Sequence, residues 1–483
     1  MNEQKLVAIL KQHFGFTSFR PGQLAVLQSL INNHNTLAVL PTGAGKTLIY
    51  QMFGLIQRAP ILIVSPLLSL MQDQVARLQY LGVKRVVAIN SMLDWQQKQV
   101  ALAHLGNYQY IYISPEMLAN SEVLNQVRAI HPGLVVIDEA HCLSQWGPDF
   151  RPEYLNLKGV LDQLGPPLTL MLTATASRKI QADIIAKLGL TQPVTRVVES
   201  IDRPNIYLAV TTVSDDKDKQ AALLRLVNTI VAPGVVYFLS RKRANQMALW
   251  LMEKTGLRVA AYHSGLSDEE RFKIQHQFMN DQLDIICATS AFGMGIDKNN
   301  IRFVIHYHLP ADLEAYMQEI GRAGRDGKQS IAVLLYQDGD ESLPAHLTVN
   351  NIPDESIVNA FFRNPQEMAK LADQDDQIRI LSFYWRHAYS ADQVNRIFSL
   401  RVQQQRSNIA TMMNYVHAKQ CRRKVLLEYF DQTAPPHTKR CCNLHTPALP
   451  IEGLGLMNTV VEPNSEPNLD WRRVIKKLFK NDD

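Results

Sequence analysis

Short apolar runs punctuate the first two hundred residues at near-regular intervals. Thr36–Leu40, Ile61–Val64, Val86–Ile89, Tyr110–Ile113, Leu134–Ile137 and Leu168–Leu172 are each bounded by Pro, Gly, Ser or Asp. They are too short for helices, and their unbroken apolar character predicts strands buried on both faces. Segments between them, such as Leu67–Leu81 and Asp94–Leu105, carry helical patterns. That alternation predicts a parallel sheet with helices on both faces. The pattern repeats at Val235–Leu239, Val259–Tyr262, Ile285–Ala288, Phe303–His306 and Ile331–Tyr336, then stops near Asp340. Residues Pro344–Phe430 read as helices rich in Gln, Asp and Arg. The expected fold is α/β, with lobe one over 1–200 and lobe two over 201–340, joined at the turn-forming Asp202-Arg203-Pro204-Asn205. A helical piece over 341–446 and an irregular tail over 447–483, ending in a basic amphipathic segment, complete the expectation.

A length of 483 residues fits two or three cores, and 46% hydrophobic with 20% charged residues excludes wholesale disorder. No apolar run approaches the roughly 20 residues a membrane span needs, and Met1–Lys11 has no signal-peptide stretch. Of five cysteines, Cys142 and Cys287 stand alone and three lie close together near the end. This excludes a disulfide framework and points to a reducing compartment with a candidate metal site. The expected location is therefore cytoplasmic, nucleoid-associated in a bacterium, or another reducing interior, with no membrane partner. The net charge of +5 permits nucleic acid as a partner without pointing to it.

Chemistry enters where the first strand meets Pro41-Thr42-Gly43-Ala44-Gly45-Lys46-Thr47. Glycines let successive N–H groups face a polyphosphate, Lys46 reaches its outer phosphates, and the Thr47 hydroxyl can ligate Mg²⁺. Leu40 stands where the commonest version of this loop opens with glycine. Leu134–Ile137 then ends in Asp138-Glu139-Ala140-His141. At the end of a central strand, Asp138 is placed to hold Mg²⁺ and Glu139 to deprotonate an attacking water. In the second lobe Gln318-Glu319-Ile320-Gly321-Arg322-Ala323-Gly324-Arg325 sets two arginines three apart, read as one helical face reaching across to the γ-phosphate.

Taken in order, these segments resemble superfamily 2 helicases, and specifically the RecQ family of DNA helicases. The resemblance spans roughly residues 10–430 and includes Phe19-Arg20-Pro21-Gly22-Gln23, Ser114-Pro115-Glu116, Leu172-Thr173-Ala174-Thr175-Ala176, Tyr262-His263-Ser264-Gly265 and Ala288–Asp297. Its most specific part is the run from Asp138 to Tyr154, with Trp146, Phe150 and Arg151 in an aromatic-rich loop. It implies two RecA-like lobes, ATP with Mg²⁺, and adenine contacts by Arg20 and Gln23. It also implies that Trp146 and Phe150 sense single-stranded DNA while Arg151 relays the event. Thr173 would link hydrolysis to DNA movement, and His263, Ser264 and Thr289 would touch the DNA backbone. Pro148 stands where family members commonly carry His, which stiffens the loop.

The family usually adds a zinc site of four cysteines. Here Cys421 matches the first, and downstream stand His437, the adjacent Cys441 and Cys442, and His445. The expected site takes at most four of these, with only one of the adjacent pair facing the ion. Only 38 residues follow His445, too few for the winged helix that many family members carry. The expected activity is ATP-dependent 3′–5′ unwinding of tailed duplex DNA from a single strand, in repair or recombination, with single-strand-binding or repair proteins as partners. A DNA-stimulated translocase that leaves strands annealed is the alternative.

Overall fold

The computed structural model describes residues 2–66, 68–90, 93–144, 152–293, 298–372, 374–444 and 448–458. The first sheet comprises β1 (Asn35–Val39), β2 (Ile61–Val64), β3 (Val86–Ile89), β4 (Tyr110–Ile113), β5 (Leu134–Ile137), β6 (Thr169–Thr173) and β7 (Val194–Val198). All neighbours are parallel, in the order β3-β4-β2-β5-β6-β1-β7. Alternate residues feed two cores. Leu37, Val39, Leu62, Val64, Val135 and Ile137 pack on one face, and Ala38, Ile61, Ile63, Leu134 and Val136 on the other. Burial on both faces is why the strands lack polar alternation.

The second sheet repeats the plan with β8 (Ile206–Val213), β9 (Gly234–Tyr237), β10 (Val259–Tyr262), β11 (Ile285–Ala288), β12 (Phe303–His306) and β13 (Ser330–Gln337). Its order is β10-β11-β9-β12-β13-β8, again parallel. Strands β7 and β8 go beyond the sequence expectation. β7 is a half-exposed edge carrying Arg196 and shows no isolated apolar run, whereas β8 does carry one, the buried Ile206–Val210, directly after the Asp202–Asn205 turn.

The helical region divides in two. Ile352, Val358, Phe361, Leu381, Tyr384, Val394 and Phe398 form a core of their own. Met412, Tyr415, Cys421, Leu426, Leu427, Phe430, Cys441 and Cys442 instead join the core of lobe two. The 26-residue helix Ala391–Val416, opened by a Ser390–Gln393 capping box, spans both. Part of the expected tail is also docked: Leu454 and Leu456 are buried in lobe two, and Val231 N donates to Leu456 O at 2.9 Å. No helix among the described residues is long and apolar enough to cross a membrane.

Candidate active site and metal centre

Sheet order places the chemistry. β5, β6 and β1 are adjacent, so their carboxyl ends deliver Asp138, Thr173 and the phosphate loop to one crevice edge, where open α/β sheets bind ligands. Gly43 and Gly45 adopt left-handed φ values of 86° and 72°, and the helix Lys46–Gln57 starts immediately after. Its first amides point toward the crevice with the positive end of the helix dipole. Lys46 Nζ makes only a long 3.4 Å contact with Leu40 O. Thr47 hydrogen-bonds Tyr50, whose hydroxyl lies 3.1 Å from that of Tyr112.

Arg20 and Gln23 hold the loop itself. Arg20 donates to Gly43 O, while Gln23 Nε2 donates to Ala44 O at 2.8 Å and Gly45 O at 3.1 Å. Gln23 Oε1 accepts from Arg20 N at 2.9 Å. An amide with both donor hydrogens engaged has none left for an adenine edge in this arrangement.

Asp138 is buried, and that burial, with the neighbouring Glu139 carboxylate, pushes its carboxyl up to about 7 against the pull of Lys46. Such a group favours binding of a cation that relieves its desolvation. Glu139 sits in the left-handed region at φ 47°, an uncommon place for a side chain this size, consistent with strain kept at a working site. Its Oε2 is buried without a hydrogen bond, 3.3 Å from His141 Nδ1. His141 Nδ1 also lies 3.1 Å from Thr173 Oγ1, which donates to Thr175 O at 3.0 Å. Thr173 is fully buried within lobe one.

The two arginines separate. The helix Leu313–Ile320 ends before them, and residues 321–327 run through turns with Gly324 and Gly327 at positive φ. The expectation of one shared helical face is therefore corrected. Arg322 is 3% exposed and donates to Gly293 O within lobe two. Arg325 crosses to lobe one: a Cβ added at Gly43 would stand 3.7 Å from its Cγ and Cδ. Gln318 lines a small crevice between the lobes with His141, Thr175, Ile180 and Glu314.

In lobe two, His263, Ser264 and Thr289 follow the paired strands β10 and β11 and so share one end of the sheet. His263 Nε2 meets Asn245 Oδ1 at 3.0 Å, while its Nδ1 is buried without a hydrogen bond. Arg241, which the sequence reading passed over, is beside them: its Cδ would stand 3.4 Å from a Cβ at Gly265. The available signal was Ser240-Arg241-Lys242-Arg243, a basic run opening a helix at a strand end. Trp146, Phe150, Arg151 and His445 lie outside the described residues.

Cys421, His437, Cys441 and Cys442 bring their ligand atoms within 4.8 Å of one another. Cys421 Sγ is 3.4 Å from Cys441 Sγ, 3.8 Å from Cys442 Sγ and 3.3 Å from His437 Nδ1. Zn–S bonds of about 2.3 Å set sulfurs roughly 3.8 Å apart on a tetrahedron, so the separations made by Cys421 suit three thiols and one imidazole around this ion. The adjacent cysteines both face the cluster, correcting the expectation that one must turn away. A turn closed by Cys441 N on Thr438 O runs into a single parallel bridge between Cys442 and Leu208, and the bend brings successive sulfurs to one side.

Comparison with known proteins agrees with this geometry. The DEAD/DEAH box helicase family matches residues 20–183, the helicase conserved C-terminal domain 218–327, and the RecQ zinc-binding family 391–445. The chain is 39% identical to the Probable ATP-dependent DNA helicase RecS of Bacillus subtilis, over 91% of each protein. It is 34% identical to the ATP-dependent DNA helicase RecQ of the same organism, over 90% of this chain and 66% of that protein. Among solved structures, Mycobacterium smegmatis helicase Lhr bound to ssDNA and AMP-PNP shares the fold at a TM-score of 0.57 and 21% identity. The match covers 84% of this chain and 57% of Lhr.

Proposed function

We infer the function from a plain premise: this chain belongs to the RecQ family of ATP-dependent DNA helicases. It hydrolyses ATP in the cleft between the lobes, moves 3′ to 5′ along single-stranded DNA, and separates tailed duplexes in repair or recombination. One observation carries the reading: Arg325 of lobe two lies over Gly43 of the phosphate loop, beside the crevice edge that carries Lys46, Asp138 and Glu139.

Lys46 and the amides that follow it hold the outer phosphates. Thr47 and Asp138 would hold Mg²⁺, which would supply positive charge beside the transferring phosphoryl group. Glu139 orients the attacking water and takes its proton, and Arg325 stabilises charge that grows on the γ-phosphoryl oxygens. Because that stabilisation needs both lobes, ATP favours closure and hydrolysis releases it. Alternating closure moves DNA held on lobe two by His263, Ser264, Thr289 and Arg241. On lobe one the strand is sensed by Trp146, Phe150 and Arg151. Backbone contacts of this kind carry no base sequence, so structure and single-strandedness set specificity. Single-strand-binding and repair proteins are the partners this role requires. Cys421, His437, Cys441 and Cys442 would hold zinc, which would tie the end of the helical region to lobe two.

The test is ATP turnover with no nucleic acid, with single-stranded DNA and with RNA of equal length, followed by gel separation of 3′- and 5′-tailed duplexes. Stimulation by DNA and opening of the 3′-tailed duplex are expected. Equal stimulation by RNA would reduce the reading to a broader helicase. Stimulation without strand separation would make the protein a translocase.

A further inference from the structure

The turns that carry Arg325 lie between the helix Leu313–Ile320 and β13, which starts at Ser330. Two backbone bonds tie them to lobe two: Gly324 N donates to Ile301 O at 2.8 Å and Asp326 N to Asn299 O at 3.1 Å. A second clamp comes from the junction between the lobes. Arg203 Nη1 donates to Gly321 O at 2.8 Å, and its Nη2 donates to Ala323 O at 2.9 Å and Gly324 O at 2.7 Å. Asn205 Nδ2 adds bonds of 2.8 Å to Gly324 O and to Lys328 O. Carbonyls at the end of a helix lack intrahelical donors, and the negative end of the helix dipole favours a cation there.

The clamp bears most on Gly324. Its carbonyl accepts from both Arg203 and Asn205. Its backbone is left-handed, with φ 55°, and an added Cβ would stand 2.4 Å from Asn205 Nδ2. The peptide that joins Gly324 to Arg325 is planar, so fixing this carbonyl also fixes the amide nitrogen and Cα of Arg325. From there the Arg325 side chain reaches Gly43 of the phosphate loop. The clamp is itself held from behind. Arg423 pairs with Asp202 and donates to Arg203 O at 2.9 Å and Ile206 O at 2.5 Å. Its Nε donates to Cys441 Sγ at 3.3 Å. Direct hydrogen bonds thus run from the cysteine–histidine cluster through Arg423 and the Asp202–Asn205 turn to the peptide that starts Arg325.

We propose that Arg203 is a positioning residue for ATP hydrolysis: by fixing the Gly321, Ala323 and Gly324 carbonyls it aims Arg325 at the γ-phosphate, and Arg423 keeps it in place. Stabilisation of a transition state depends on where the charge stands, and a misplacement of about 1 Å loses much of it. This rests on the reading of the cleft as an ATPase site.

The test compares Arg203→Ala, Arg203→Lys, Asn205→Ala, and Arg203→Ala combined with Arg325→Ala, all in the full chain. It follows kcat and KM for ATP at saturating single-stranded DNA, zinc per protein, and thermal unfolding. Arg203→Ala lowers kcat by about thirtyfold with KM moved less than about twofold, as loss of an interaction felt only in the transition state does. Arg203→Lys keeps the charge without the two-armed fork and loses about tenfold; Asn205→Ala loses about threefold. On top of Arg325→Ala, Arg203→Ala causes no further loss, because no guanidinium remains to be aimed. Unchanged kcat in Arg203→Ala, a further loss on top of Arg325→Ala, or losses that only follow zinc content or the folded fraction would overturn the proposal. If Arg203→Ala does not fold, Arg203→Lys and Asn205→Ala carry the test, and unchanged kcat in both overturns it. Arg325→Ala alone separates the two readings. If it is slow while the folded Arg203 variants match the unaltered protein, only the positioning role fails; if it turns over normally, the site reading itself fails.

Discussion

In lobe one the ionisable groups at the strand ends are left in tension. Asp138 is buried against Glu139, and Glu139 Oε2 has no hydrogen bond. In lobe two several ionisable side chains are instead closed into pairs, although His263 Nδ1 and Glu314 Oε2 are buried there without a hydrogen bond. Lys219 meets Asp340 at 2.5 Å, Arg243 meets Asp216 at 2.5 Å, Arg302 meets Asp326 at 2.7 Å and His306 meets Glu319 at 2.7 Å. Two sheets of the same topology class therefore divide the work. The buried Asp138–Glu139 pair of lobe one is unfavourable electrostatics that a bound cation would relieve, so binding there would stabilise the lobe. Lobe two pairs these charges internally and carries Arg325 to Gly43 of lobe one.

The sharpest way to break this contrast is Glu139→Gln. Removing the base should lower ATP turnover by up to about ten thousandfold in steady-state phosphate release. Because the lost charge is buried and poorly compensated, melting temperature should hold or rise. A variant that lost stability along with activity would mean lobe one holds no such tension.

Next in size is the pair of arginines. Arg325→Ala should lower kcat by about a thousandfold while nucleotide affinity changes little, because its contribution comes with the transition state. Arg322→Ala should instead destabilise lobe two by about 3 kcal/mol, since it empties a buried site and strips the Gly293 carbonyl of its donor. Fluorescent-nucleotide binding, turnover and denaturant unfolding on both variants decide it. Matching behaviour would erase the division between a presenting arginine and a framing one.

These arginines also mark where sequence stops being enough. Apart from β7 and β8, the strands from Thr36 to Tyr336 were legible because parallel sheets buried on both faces need unbroken apolar runs, and the phosphate loop because its glycines serve only a tight curl. Spacing of three suggested a shared face for Arg322 and Arg325, but the helix ends at Ile320 and the turns send them apart. Adjacency suggested that Cys441 and Cys442 diverge; a bend fixed by contacts with Leu208, over two hundred residues earlier, makes them converge. Leu454 and Leu456 looked like tail residues because nothing local shows that lobe two offers them a surface.

The smallest predicted effect concerns the closed pairs of lobe two. His308 lies beside them, with Nδ1 accepting from Leu239 N at 3.2 Å and its ring against Phe238 and Tyr307. Burial, then the charges of Lys219 and Arg243, push it down from 6.5 to about 4, with Asp216 opposing. The folded value lies below the unfolded one, so the neutral ring's contribution is complete above about pH 6.5 and fades as pH falls toward 4. The shift corresponds to about 3 kcal/mol at full burial and, with the ring partly exposed, to about 2 kcal/mol. Denaturant unfolding near pH 7 and near pH 5 should show the unaltered protein weakening and His308→Gln weakening less, since the amide keeps an acceptor without gaining a proton. Equal slopes would mean that water reaches the ring and that the cationic pairs of lobe two are less closed than their distances imply. If the slopes differ, the pairing in lobe two depends on keeping one neutral base among its charges, whereas lobe one keeps the buried Asp138 beside Glu139.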